Sequence, residues 1–184
     1  MASLRHFPHS TELRLTEVQD KMILKGFIGR AAGCAALLSF LLVMAFMTTT
    51  GFAQATFKKD QLTVKTSTGD HVIAVELALS EEQKSLGLMF RPKVPPDTGM
   101  LFPYDRPREL TMWMRNTYAS LDMIFIRQDG VVHRIEYSTE PMSERVISSQ
   151  GNVTAVLELA AGEAKRLAIK PGDRVLHATF KLAR

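Results

Sequence analysis

The stretch TMWMRNTYASLDMIFI, residues 111–126, holds the chain's only tryptophan together with polar residues that could contact a ligand. Trp113 offers a flat apolar face. Arg115 and Asn116 offer hydrogen-bond donors, and Asp122 offers a carboxylate. An aromatic platform beside a few convergent polar groups suits a small polar ligand, such as a sugar or a cell-wall fragment. The stretch therefore predicts a ligand-binding site, although it does not define a reaction.

Two residues outside this stretch are expected at the same site. Arg91 begins a proline-rich segment, residues 91–98, that could form a rim, and Glu158 lies in an apolar segment, VTAVLEL. A charge inside a strand is costly unless it is paired. The alternative is therefore a structural corner in which Arg115 forms an ion pair with Asp122. For Glu158 the alternative is a solvent-facing charge on an amphipathic strand.

Several enzyme classes lack their motifs in this sequence. No GxxxxGK or GxGxxG loop occurs to hold a phosphate, and no GxSxG elbow occurs. The histidines His71, His133 and His177 are too widely separated for a zinc-protease helix. A triad assembled from distant residues is not excluded, because triads are defined by geometry. No cofactor and no metal are expected.

Two further chemistries remain as alternatives to simple ligand binding. Asp122 and Glu158 both lie in apolar strands, where burial would raise a carboxyl pKa, and together they could serve a hydrolase. Met112 and Met114 are two residues apart, so a strand would place both sulfurs on one face, as a Cu(I) carrier requires. The competing interpretation of these methionines is that they fill irregular gaps in a core.

The elements that must position these residues are mainly strands. Residues 62–66 and 71–78 flank a turn-rich tetrad and predict a hairpin. SEEQKSLG, from Ser80, predicts a short helix with a capping box and a glycine stop. The prolines that follow predict an extended loop. Further strands are predicted at 99–102, 110–114, 121–126, 131–137 and 153–159 and after the turn at 170–173, with a charged turn at 105–109 and a helical turn or two at 161–168.

Seven or eight short strands with one or two short helices predict a mainly β fold, an antiparallel jelly-roll-like sandwich or barrel. The segment LDMIFI is apolar on both faces, so it is expected to be a central strand. Asp129-Gly130 predicts a tight turn after it. One compact domain is expected, over residues 56–184.

Several ordered blocks resemble a known family: GLMFR (87–91), PPDTGMLF (95–102), MWMRNT (112–117), LDMIFI (121–126) and VLELAAG (156–162) with PGD (171–173). At these intervals they are similar to domain-of-unknown-function family 192, small bacterial and archaeal proteins that are often exported. The resemblance covers nearly all of the chain from about residue 63. It implies a mainly β sandwich of jelly-roll type, and it implies no definite activity.

The front of the chain predicts export. Residues 31–47 carry no charge, they follow Lys25 and Arg30, and Ala53-Gln54-Ala55 ends the segment. This order is typical of a signal peptide cleaved after Ala55, and Met22 would be a conventional start. The protein is therefore expected to be periplasmic or secreted. It would contact a membrane only if the segment were retained as an anchor.

The composition of residues 56–184 narrows the choice of partners. That part contains 18 Lys plus Arg against 16 Asp plus Glu, so no basic stripe predicts nucleic-acid binding. It contains no cysteine, which excludes disulfides and thiol catalysis. The expected partner is a small polar ligand, such as one derived from a glycan, or a component of the cell envelope. A structural or accessory envelope protein without a ligand is the alternative.

Overall fold

The computed structural model describes residues 56–180, and within them the chain forms seven strands and two short helices. The residues before and after this range, including the predicted export segment, lie outside the described part. The elements are β1 (Lys58–Thr66), β2 (Gly69–Leu77), α1 (Glu81–Leu86), β3 (Thr98–Met112), β4 (Leu121–Ile126), β5 (Val132–Glu136), β6 (Ile147–Ala160), α2 (Glu163–Arg166) and β7 (Arg174–Leu176). Neither of these two helices is long and apolar enough to cross a membrane.

The strands form one sheet in the order β5-β4-β6-β3-β2-β1-β7. Neighbouring strands are antiparallel except β2 and β3, which are parallel and are joined by the connection that contains α1. The sheet curls until its outer strands meet. Val131 bridges Arg174, and the N–H of Val175 donates to the carbonyl of Gly130 at 2.7 Å. The predicted fold class is confirmed: the described chain is mainly β, and its half-barrel is compatible with the jelly-roll-like arrangement.

Local sequence signals predicted the hairpin and the first helix correctly. β1 pairs with β2 along their whole length, from Lys58 opposite Leu77 to Thr66 opposite Gly69. In α1 the side chain of Ser80 accepts a hydrogen bond from the N–H of Gln83, whose own side chain accepts from the N–H of Ser80. This capping box satisfies amides that the first turn leaves free.

The strand β3 is longer than predicted. Residues 99–102 and 110–114 were expected to be separate strands around a charged turn, but β3 runs from Thr98 to Met112 without a break. Its pairing with β6 shifts register between Pro103 and Arg108, so the proline-containing stretch forms a β-bulge within one strand. Because the two strands pair, β6 also begins earlier than predicted, at Ile147.

Two apolar cores lie on opposite faces of the sheet. The inner core fills the curl and includes Leu62, Ile73 and Leu157. The outer core covers the other face of β3, β4 and β6, and it includes Phe102 and Phe125. All six residues of β4 are buried, which confirms that LDMIFI is central and covered on both sides.

Candidate functional site

Glu158 is a carboxyl group inside the outer core. Along β6, Leu157 and Leu159 point into the inner core, so Glu158 points to the opposite face with Val156. Only 4% of Glu158 is exposed. Its neighbours across the sheet are Met100 on β3 and Met123 on β4, both of which are apolar. The expectation that Glu158 could be a solvent-facing charge is therefore wrong.

The carboxyl of Glu158 has no hydrogen-bond partner among residues 56–180. Burial raises the pKa of Glu158 to about 8, and desolvation is the sole cause. Buried polar side chains are nearly always hydrogen-bonded, because a missing bond costs free energy. Because Glu158 borders a cavity, water or a ligand in that cavity can supply its partner. Within residues 56–180, the fully enclosed polar atom that lacks a hydrogen bond is Nε2 of His177.

Glu158 lines a cavity of about 240 Å³. One wall comes from α1 and the residues after it, and the other comes from β3 and the segment that follows β3. Trp113 stands at the cavity with 47% of its surface exposed, so it marks the open side. Besides Glu158, the polar or aromatic residues around the cavity are Glu81, Lys84, Ser85, Phe102, Tyr104, Arg108, Thr111, Trp113 and Thr117.

The aromatic rings of the cavity carry cations on their faces. The ammonium of Lys84 lies 4.5 Å from the ring centre of Tyr104, and the guanidinium of Arg108 lies 5.0 Å from it. Lys84 also pairs with Glu81 at 2.9 Å. Burial raises the pKa of Tyr104, while the positive charge of Arg108 lowers it. The rim therefore combines an apolar surface with positive charge.

Asp122 lies on the opposite face of the sheet from Glu158. Its carboxylate accepts hydrogen bonds from the N–H groups of Ser138, Gly162 and Ala164 at 2.9, 2.9 and 3.0 Å. Three amides satisfy a buried carboxylate without any cation. Asp122 thus fixes the loop before β6 and the start of α2, and the structure gives it a structural role.

The predicted ion pair between Arg115 and Asp122 does not form among the described residues. Arg115 instead lies over the ring of Trp113, with its guanidinium 4.7 Å from the ring centre. Asn116 adopts a left-handed backbone with φ of 57°, and its carbonyl accepts from the N–H of Phe90 at 2.9 Å. Arg115 of this turn therefore contacts Trp113, and Asp122 bonds to backbone amides instead.

Arg91 is also placed away from the Glu158 cavity. Its guanidinium donates two hydrogen bonds to Glu76, at 2.8 and 2.7 Å. The pair lowers the pKa of Glu76 and raises that of Arg91. Arg91 lines a second cavity of about 340 Å³ with Lys59 and Lys93.

Of the six predicted site residues, the structure brings Trp113 and Glu158 together at one cavity. Arg115 lies over the ring of Trp113 but does not line that cavity.

The geometry does not support the two alternative chemistries, a hydrolase that uses Asp122 with Glu158 and a Cu(I) carrier that uses Met112 with Met114. Asp122 and Glu158 point to opposite faces of the sheet, so they cannot flank one bond of a substrate. Met114 is buried and its sulfur accepts a hydrogen bond from the hydroxyl of Thr139 at 3.1 Å, whereas Met112 lines the cavity. Within residues 56–180, no group of three His, Cys, Asp or Glu side chains could hold a metal ion.

Sequence reasoning missed Lys84, Tyr104 and Arg108. One signal was present for Tyr104, because it alternates with Met100 and Phe102 along β3 and so shares their face. Lys84 and Arg108 had no comparable signal. Their positions depend on how α1 and the bulge in β3 pack around Glu158.

Comparisons with known proteins identify relatives of this chain. The profile of the DUF192 family, described as "Uncharacterized ACR", matches residues 63–177. A candidate transcription regulator from Sinorhizobium meliloti 1021 has a crystal structure with 42% identity and a TM-score of 0.67; the match covers 70% of this chain and 100% of that one. A protein of unknown function from Novosphingobium aromaticivorans DSM 12444 has 38% identity and a TM-score of 0.65, and the match covers 68% of this chain and 89% of that one.

No curated protein matches the chain. The family profile covers most of the described residues, and two solved structures share both sequence and fold with them. The chain belongs to the DUF192 family.

Proposed function

We propose that this chain is an exported, non-enzymatic β-domain that binds a small polar ligand, such as a glycan-derived fragment, in the cavity beside Trp113. The observation that supports this function is the carboxyl of Glu158, which is buried, unpaired within the described residues and directed to a cavity. A ligand that bonds to this group would supply the missing partner and would be held in one orientation.

The geometry favours a ligand smaller than a drug-sized molecule. Pockets for drug-sized ligands occupy about 300 to 1,000 Å³, whereas this cavity occupies about 240 Å³. With a pKa of about 8, Glu158 is mostly protonated at neutral pH and can donate a hydrogen bond. Trp113 offers a partly exposed ring beside it, and Thr111 offers a hydroxyl. These groups match the hydroxyls and apolar ring face of a single sugar.

Export is part of the proposal because of the sequence before residue 56. The uncharged run at 31–47, its positive flank and the Ala53-Gln54-Ala55 ending form a signal-peptide pattern. We infer a periplasmic or secreted location, where glycan fragments of the envelope are available. The test is the N-terminal sequence of the protein recovered from the envelope fraction. A chain that begins at Thr56 supports cleavage, and a protein confined to the cytoplasm contradicts export.

Trp113 makes ligand binding directly measurable, because it is the chain's only tryptophan. Purified protein is titrated with glucose, N-acetylglucosamine and glucuronate while tryptophan fluorescence is recorded. We expect a saturable change with at least one sugar. Glu158→Leu should abolish it, and Glu158→Gln should retain it because an amide still donates. Glu144→Leu is the control, since Glu144 is exposed and does not line the cavity. The absence of saturation with all three sugars, or equal binding by Glu158→Leu, contradicts the proposal.

A second candidate function is that of an envelope interaction protein. Three large apolar side chains are about half exposed: Phe90 at 57%, Tyr118 at 51% and Met142 at 51%. They lie close together, because the N–H groups of Phe90 and Met142 both donate to carbonyls of the loop 113–120 that contains Tyr118. The rings of Phe90 and Tyr118 meet edge to face at 6.2 Å. For this candidate, Phe90→Ser with Tyr118→Ser should abolish association with an envelope partner. The fluorescence response of Trp113 to sugars should be unchanged.

A further inference from the structure

Cations lie over the aromatic rings of the Glu158 cavity, and two of them, Lys84 and Arg108, line the cavity itself. Lys84 and Arg108 lie over Tyr104, and Arg115 lies over Trp113. A cation held on an aromatic face keeps its hydrogen-bond donors free, because the ring provides no acceptor atom. The donors of Arg108 are therefore available to a ligand, whereas Lys84 already donates to Glu81.

The charges at the mouth are not balanced by the protein. Lys84 pairs with Glu81, but Arg108 and Arg115 have no acidic partner among residues 56–180. The other carboxyl of the cavity is Glu158, which burial keeps mostly protonated at neutral pH. At the cavity, the two cations Lys84 and Arg108 thus outnumber the one charged acid, Glu81, and Arg115 adds positive charge over the ring of Trp113. The local field attracts an anion and repels a cation.

We propose that the ligand is a small carboxylate-bearing polar molecule, such as an acidic sugar. Its carboxylate lies at Arg108, and one of its hydroxyl or carbonyl oxygens accepts a hydrogen bond from Glu158. This inference rests on the proposed function, since it names the ligand class of the same cavity. The planar fork of arginine matches a carboxylate with two parallel hydrogen bonds, so Arg108 would distinguish an acid from its neutral analogue.

The depth of Glu158 adds a pH dependence to anion binding. The charged or titratable side chains around the cavity with Glu158 are Glu81 and Lys84 from α1 and Tyr104 and Arg108 from β3. When Glu158 loses its proton near pH 8, it becomes both a negative charge and an acceptor. The ligand's carboxylate is then repelled by the charge on Glu158, and a ligand carbonyl oxygen at Glu158 loses its donor. Affinity for the acid should fall from pH 7 to pH 9.

The experiment compares glucuronate with glucose, which share a ring and differ in one carboxylate. Both are titrated at low salt by the fluorescence of Trp113, with wild-type protein, Arg108→Gln and the control Arg106→Gln. Arg106 is exposed on the same strand and does not line the cavity. We expect glucuronate to bind about tenfold more tightly than glucose, because a charge-assisted pair replaces a neutral one. The preference should vanish in Arg108→Gln, persist in Arg106→Gln and weaken as salt is added.

The pH series separates the role of Glu158 from that of Arg108. Wild-type affinity for glucuronate should fall between pH 7 and pH 9, and affinity of Glu158→Gln should stay constant. If glucose or N-acetylglucosamine binds as tightly as glucuronate, the acidic ligand class is overturned while ligand binding in the cavity stands. If none of the three sugars binds, both the ligand class and the proposed function fail. A preference for glucuronate that survives Arg108→Gln also overturns the inference.

Discussion

Replacing Glu158 by glutamine should make the folded protein more stable, by an amount that grows with pH. Glutamine has nearly the same shape and stays neutral, whereas the buried carboxyl of Glu158 resists losing its proton. The substitution therefore removes the difference in proton binding between the folded and unfolded states and leaves the packing around Met100 and Met123 in place.

The size of the effect follows from the two pKa values of Glu158. Burial raises the pKa from 4.5 in the unfolded chain to about 8 in the folded protein. Between these limits the folded state keeps a proton that the unfolded state releases, so stability falls by about 1.4 kcal/mol per pH unit. The contribution of Glu158 is fully present below pH 4.5 and is lost as pH rises to about 8. Over the whole window the loss amounts to about 5 kcal/mol.

Urea denaturation at a series of pH values from about 4 to 9 measures this difference directly. The stability of Glu158→Gln minus that of wild type should be flat at low pH, rise by about 1.4 kcal/mol per unit through neutral pH, and level off above pH 8. Glu144→Gln provides the matched control and should show no such slope, because Glu144 is exposed. A difference that does not change with pH would refute the reasoning, since Glu158 would then titrate like a hydrated carboxyl.

Substitutions at three further positions test other parts of the structure, each by urea denaturation. Asp122→Asn should lower the free energy of unfolding by about 2 to 4 kcal/mol, because an amide side chain cannot accept all three backbone hydrogen bonds. The protein that remains folded should keep its fluorescence response to sugars. Gly99→Ala should cost about 1 to 3 kcal/mol, because a Cβ there would lie 2.3 Å from the backbone oxygen of Glu158; an unchanged midpoint would contradict the close approach. Ser80→Ala should cost about 1 kcal/mol by removing the helix cap, and Ser80→Asp, which can still accept from Gln83, should restore most of that stability.

The elements that the sequence predicted well are those specified by neighbouring residues. The capping box needs only Ser80 and Gln83, and the tight turn needs only Asp129-Gly130, where Gly130 has φ of 80°. The apolar residues on both faces of LDMIFI were enough to predict that this strand is covered on both sides. Each of these features depends on chemistry within a few positions of the chain, so one sequence contains the necessary information.

The features that sequence reasoning missed depend on distant pairing. The partners expected for Asp122 were nearby cations, but its actual partners include amides about 40 residues away. Arg91 was expected at the Trp113 site, but the parallel pairing of β2 and β3 brings it to Glu76. The pattern around Glu158 was ambiguous because alternation specifies a face of β6 without showing what covers it.

The pairing of β3 with β6 also sets the order in which the cavity can assemble. The hairpin β1–β2 closes across a two-residue turn, whereas Gly99 meets Leu159 about sixty residues further along the chain. Contacts between such distant residues form slowly, because a long loop must close before they stabilise the chain. We therefore expect Glu158 to enter its cavity in a late step of folding. A ligand in the cavity would bind only the completed fold and would shift the folding equilibrium toward it.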